Sequence, residues 1–281
     1  MKLPILTKKQ QEILKLLYKY RFLNRIQIQA LLNHKDRKTI NMWLRDLKEK
    51  HYVERIYNPD DFAERTKPAI YYLGINGIRK QKDYDLPIEE IRKRYRDSSR
   101  SQTFIDRCLL ITNCAIVLEQ TETKDEDVVT NYFFETEADY MSATYFGFLV
   151  GNELIHPQLC YQKLVHNGSD EPYPAASYLL EIFDPTFPRY RIKKRLANYV
   201  QYLDEEGDDW KNEIDTKNLP IIQLVCPRTT DLIYAKRRTR GLIADIWEYD
   251  DEGRGDIHIQ FTTMAKLQEH GVLDKEIWEE A

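Results

Sequence analysis

The stretch Asn33-His34-Lys35-Asp36-Arg37-Lys38-Thr39-Ile40-Asn41-Met42-Trp43-Leu44-Arg45-Asp46-Leu47-Lys48-Glu49-Lys50 decides how the first third of the chain is read. Ile40, Leu44 and Leu47, joined by Trp43, recur at helical spacing and predict one buried face. Lys38, Asn41, Met42, Arg45 and Lys48 keep the same rhythm on the opposite side, and Asp36 is placed to cap the first turn. Arg, Lys and Asn are side chains that read base edges and hold phosphates. The outer face therefore predicts a DNA recognition helix, with Lys35 and Arg37 at its start as further contacts. A solvated basic face is the simpler alternative for such a helix alone, so its neighbours matter.

Upstream, Thr7-Lys8-Lys9-Gln10 has the form of a capping box, and Ile13, Leu14, Leu17, Tyr18 and Phe22 give a helix from about Lys8 to Tyr20 its apolar stripe. Asn24-Arg25-Ile26-Gln27 repeats the cap ahead of a short helix with Ile28, Leu31 and Leu32 inward, and a turn at Asn33 to Lys35 follows. A helix, a short helix, a turn and a basic helix make the helix-turn-helix order, in which the last helix enters the major groove. Downstream, Tyr52 to Tyr57 reads as a strand, Asn58 to Lys67 as a polar loop with Asp60, Asp61, Arg65 and Lys67, and Ala69 to Leu73 as a returning strand. Such a strand pair is a wing, which adds Arg65 and Lys67 as phosphate contacts. Gly74 to Lys80 begins another helix. A winged helix-turn-helix over residues 1–82 is expected; the alternative is a small α/β domain whose basic surface meets a protein.

The charge supports the first reading. Residues 1–100 hold 24 Lys and Arg against 13 Asp and Glu, and residues 101–281 hold 18 against 33, although the net charge is only −4. A basic module on an acidic body localises polyanion binding, because Lys and Arg near phosphates release condensed counterions. No run reaches the roughly 20 apolar residues that a bilayer requires, and the start of the chain lacks a signal-peptide core. Cys108, Cys114, Cys160 and Cys226 form no C-x-x-C pair, so neither a structural zinc site nor a disulfide framework is expected, and the reducing cytoplasm is the expected compartment.

Residues 83–100 read as a charged linker, with a helix possible over Ile88 to Arg96. Residues 101–281 read as an α/β domain around a mixed sheet. A helix from Gln102 to Glu119 opens it. Strands are expected at Val128 to Phe134, Ala143 to Leu149, Glu153 to Leu159, Ser177 to Phe183 and Asp256 to Thr262, and helices at Arg189 to Leu203 and Thr229 to Ile243. The Pro-bounded apolar run Ile221 to Cys226 predicts a central strand covered on both faces. Ala265 to Glu280 reads as an acidic tail with a short helical segment.

The winged helix followed by His156-Pro157-Gln158-Leu159, Tyr178-Leu179-Leu180-Glu181-Ile182-Phe183-Asp184-Pro185-Thr186, Lys194-Arg195-Leu196-Ala197-Asn198-Tyr199 and Pro220 to Val225 resembles the replication-relaxation family of plasmids and integrative elements. That resemblance implies a DNA-binding protein of plasmid replication, relaxation or mobilisation. The same second-domain order resembles the core of PD-(D/E)XK nucleases, whose carboxylates hold a divalent cation and whose Lys orients water. Here Gln158 stands at the first acid and Phe183 at the Lys, so a degenerate scaffold is expected, with Glu181 and Asp184 as the weak metal candidates.

No two of His34, His51, His156, His166, His258 and His270 make the closely spaced pair of a tyrosine relaxase. A Walker A loop and a dinucleotide fingerprint are also lacking, and no cofactor is expected. The expectation is thus a protein of duplex DNA that acts as a homodimer, with an acidic C-terminal domain recruiting replication or transfer proteins. A transcription regulator with an effector-binding C-terminal domain and a divalent-metal nuclease are the alternatives.

Overall fold

The structure, a computed structural model, describes residues 3–58, 60, 62, 65–84, 86, 88–121, 128–134, 148–150, 153–155, 157–165, 173–205, 207–214, 218–247 and 257–281. Asp61, residues 143–147, His156, His166 and Asp256, all named above, lie outside the described residues. Internal contacts divide the chain into two units, residues 1–116 and 117–281.

The first unit runs α1 (Lys8–Tyr20), β1 (Leu23–Asn24), α2 (Arg25–Leu31), α3 (Arg37–Glu49), β2 (Val53–Ile56), β3 (Ile70–Leu73) and α4 (Ile75–Gln81). Its antiparallel sheet has the order β1-β3-β2, with Leu23 and Arg55 on either side of Tyr71. Three helices, a short strand after the first and a strand pair after the third give the winged-helix order.

Both capping boxes form. Thr7 Oγ1 accepts from the Gln10 amide at 3.3 Å while Gln10 Oε1 accepts from the Thr7 amide at 3.0 Å, and Asn24 and Gln27 exchange the same pair at 2.9 and 3.0 Å. Ile13, Leu14, Leu17, Ile28, Ile40, Leu44 and Leu47 are all buried, which is the core these helices share. Burial of each such side chain contributes about 2 kcal/mol.

Two of the expected inward positions differ. Leu31 and Leu32 are only half-buried, and Gln27 takes the inner place instead, its amide donating to the Leu109 carbonyl and to Asn113 Oδ1 at 2.7 Å each. Trp43 is half-buried too, its ring edge-on to His34 at 5.1 Å.

Residues beyond α4 continue this unit. Within α5 (Ile88–Lys93) and the 3-10 helix Arg94–Ser99, the stretch read as a linker, Ile91, Arg94 and Asp97 are buried, Asp97 accepts from Arg21, and Arg94 lies over the Tyr18 ring at 4.9 Å. The helix expected from Gln102 is α6 (Gln102–Thr121), and the division of the chain falls inside it.

The second unit contains β4 (Val128–Phe134), β5 (Phe148–Val150), β6 (Glu153–Ile155), β7 (Leu159–Val165), β8 (Tyr173–Ile182), α7 (Arg189–Glu205), α8 (Gly207–Ile214), β9 (Ile221–Cys226), α9 (Thr229–Trp247), β10 (Ile259–Thr263), α10 (Met264–His270) and β11 (Glu279–Glu280). Its mixed sheet has the order β11-β10-β9-β8-β7-β4, with β8, β9 and β10 parallel and the other pairings antiparallel.

The single strand expected over 153–159 is two, because Pro157 has no N–H to give a ladder; β6 pairs with β5, and β7 starts at Leu159. The Ile221 to Cys226 run is the internal strand β9 as read. Ile222, Leu224 and Cys226 join Leu179, Phe261 and the buried residues of α7 and α9 in one apolar core.

Gln223 belongs to the other face of the sheet, where it accepts from Tyr161 Oη at 2.6 Å and donates to Gln260 Oε1 at 3.0 Å; Gln260 then donates to Glu280 at 2.8 Å. The expected acidic tail is folded: Val272 and Ile277 are buried, and β11 pairs with the edge of β10. Glu279 of β11 accepts from both Lys236 and Lys266, at 3.1 and 3.0 Å.

Glycine is required where α4 meets the turn after α3. A Cβ on Gly77 would lie 2.1 Å from the Tyr52 carbonyl oxygen, a backbone atom that cannot swing aside. Gly77→Ala is expected to cost about 2 kcal/mol or more of the first unit's stability, read as a lowered denaturant midpoint.

Candidate nucleic-acid interface

Helix α3 is fixed at its start, along its inner side and at its end. Asp36 accepts from the Lys38 and Thr39 amides at 2.9 and 3.1 Å, and these bonds with the Thr39 hydroxyl hold its carboxyl below the usual range. On the side of α1, Asp46 accepts from the buried Gln10 amide at 2.5 Å and from Lys50 at 2.7 Å, which lowers its pKa as well. The helix ends at Glu49 with Lys50 as its C-cap, and the positive φ of 55° at His51 turns the chain toward β2.

With the inner side thus occupied, Lys38, Asn41, Met42, Arg45 and Lys48 are exposed on the outer side. All five line one groove of about 770 Å³, together with Glu49, His51, Arg55 and Tyr71. Arg55 was missed in the sequence, although the register that pairs it with Tyr71 brings a cation from the wing strand to the helix. Burial pushes the Tyr71 hydroxyl up while Arg55 beside it pulls the other way. Arg25, which does not line this groove, has its pKa lowered by burial and then by the neighbouring Arg37. One acid, Glu49, shares the groove lining with these cations. Such a surface offers charge, hydrogen-bond donors and an apolar Met42 to a polyanion with a readable edge.

The remaining candidates lie elsewhere in this unit. Lys35 is exposed in the turn ahead of α3, its carbonyl accepting from Gln29 at 3.3 Å. Arg65 lies over the Phe62 ring at 4.4 Å, in the loop between β2 and β3. Lys67 lines a separate hollow of about 500 Å³ with Asn24, Tyr57, Gln102 and Asp106, so it does not join the α3 groove. The sheet separates them: Tyr71 and Ile70 are successive residues of β3, and successive side chains leave opposite faces.

In the second unit the metal candidates have other occupations. Glu181 is buried, accepts from Tyr199 Oη at 2.7 Å and pairs with Arg195 Nε at 3.1 Å. Asp184 caps its own turn, accepting from the Thr186 amide and hydroxyl at 2.8 and 2.6 Å. Gln158, opposite Glu181 across the strand pair, accepts from the Ile182 amide at 2.7 Å and donates to the Ile182 carbonyl at 3.3 Å. Among the described residues no three His, Cys, Asp or Glu side chains group as metal ligands would. Glu181 is thus held in an ion pair with Arg195, and Asp184 in its own turn.

Removing one partner of a buried pair strands the other, so Glu181→Ala is expected to cost about 3 kcal/mol in chemical unfolding. Burial and Glu181 push the Tyr199 phenol well up. The folded state therefore keeps a proton that the unfolded chain loses near pH ~10, so stability is full below that pH and falls above it. Melting curves from pH 9 to 11 should fall less steeply for Tyr199→Phe.

Comparison with known proteins adds the family. The replication-relaxation family model matches residues 14–215. None of the curated proteins matches the chain. Among solved structures, Lactococcus lactis ZitR (a C30AH42A mutant) is 18% identical over 43% of this chain and 77% of its own, at a TM-score of 0.25. Restriction endonuclease FokI bound to DNA is 12% identical over 94% of this chain and 44% of its own, at 0.28. Likenesses this slight carry neither fold nor function. The family match spans most of the sequence: the chain belongs to the replication-relaxation family.

Proposed function

We propose that the chain binds duplex DNA through the outer face of α3, in the replication or mobilisation of a plasmid or other mobile element. The observation that carries this is the groove in which Lys38, Asn41, Arg45 and Lys48 stand together on one exposed helix face with Arg55 beside them. Family membership supports the replication setting. In this reading α3 enters the major groove, Asn41 and Arg45 meet base edges, and Lys38, Lys48 and Arg55 meet phosphates. Lys35, Arg37 and Arg65 are peripheral contacts, while Met42 lies in the groove beside Asn41. Lys67 contributes through the wing, apart from the groove.

The second unit, whose nuclease-like positions are taken up by Tyr199 and Arg195, serves in self-association or in recruiting replication or transfer proteins rather than in cleavage. The protein acts as a homodimer on paired half-sites, a common arrangement for such helices.

A gel-shift titration on plasmid and linear duplex at two salt concentrations, with and without Mn²⁺, tests this. A salt-sensitive shift without cleavage is expected; metal-dependent nicking would overturn the non-catalytic role of the second unit. Arg45→Ala is expected to cost about 1 to 3 kcal/mol on the specific site and little on unrelated duplex, whereas Lys48→Ala should weaken both alike.

A further inference from the structure

Within the acidic second unit, the neighbouring helices α7 and α9 concentrate cations. α7 opens Arg189-Tyr190-Arg191-Ile192-Lys193-Lys194-Arg195 and has no acid until Asp204. On α9, Arg237, Arg238 and Arg240 are exposed. The two helices meet at Tyr234, where the guanidinium of Arg189 lies 5.2 Å from the ring centre and that of Arg238 lies 5.4 Å from it. Two like charges thus share one ring. Lys193 follows Arg189 by one helical turn, so it extends the same side of α7. Among the described residues, Asp231 pairs with Arg189 at 3.9 Å, but its closer contact is Arg228 at 2.8 Å.

Holding the like charges of Arg189 and Lys193 one helical turn apart is unfavourable for folding alone. In a region with 33 acidic residues against 18 basic ones, solubility does not call for it either. A partner that brings negative charge makes the arrangement favourable. We propose that Arg189, Lys193, Arg237 and Arg238 form a second, sequence-independent binding surface for the phosphate backbone of duplex DNA. The inference rests on the reading of α3 above. A duplex held by α3 is presented to the rest of the same chain at high effective concentration, which makes duplex DNA the polyanion this surface meets first. The guanidinium forks of Arg189 and Arg238, both against the Tyr234 ring, suit phosphate oxygens.

The test compares full-length variants by fluorescence anisotropy on a labelled duplex over a range of salt. Arg189→Gln/Arg238→Gln should bind more weakly, and the slope of log affinity against log salt should become shallower by about two units, one per lost phosphate contact. Arg189→Lys/Arg238→Lys keeps the charges and should restore the slope, which a mere packing role for the guanidiniums would not. An unchanged slope in the Gln variant, with melting temperature also unchanged, overturns the proposal. The variant Lys38→Gln/Arg45→Gln/Lys48→Gln separates the two readings. Should it bind normally while the Arg189/Arg238 variant fails, α3 is not the reader and the second surface stands. Should it alone lose binding, the second surface falls and α3 stands.

Discussion

The Gln10 side chain closes the cap of α1 with its carbonyl oxygen and grips Asp46 of α3 with its amide. It is buried, so both ends must be satisfied, and they can be satisfied together only in one relative placement of the two helices. Ile40, Leu44 and Leu47 then bury the inner side of α3, and the cations have one way to face. The presentation of the basic groove follows from this tie, although no residue of the tie itself lies in the groove. The proposed DNA-binding role requires side chains positioned before the partner arrives, and here the support is built from an amide and a carboxylate rather than from apolar packing alone.

The second unit shows the complementary case, in which a polar group in a reactive arrangement is used for structure. Glu181, a metal candidate in the sequence, accepts from Tyr199 and pairs with Arg195, both of α7. A cation there would have to displace a guanidinium already neutralising the same charge. The opposite face of the sheet is equally self-sufficient, since the Tyr161, Gln223, Gln260 and Glu280 side chains satisfy one another in sequence across the strands.

The local features were legible in the sequence because they are decided within a few residues. The capping boxes at Thr7 and Asn24, the Asp36 cap, the period of α3 and the apolar run of β9 all appear where they were read. What failed depended on partners far along the chain. Gln27 displaces Leu31 and Leu32 from the interior because Leu109 and Asn113 receive its amide, some eighty residues away. Arg55 joins the groove through the register of β2 on β3, and Lys67 leaves it because its loop falls on the other face of that sheet. Residues 83–100 read as a linker since their charge is conspicuous, whereas Asp97 is buried with Arg21 as its partner. The short β1 and β11 carry too few residues to show any period.

Strand β11 is only two residues long, but it occupies the side of β10 that would otherwise present unpaired backbone groups. Lys236 and Lys266 clamp its Glu279 from two helices, so the strand is held by charge as well as by its ladder. An open edge is a template for a strand of another molecule. These few C-terminal residues therefore act as a guard against intermolecular sheet growth. A chain shortened before Glu279 could keep its helices and apolar core and still be lost to aggregation.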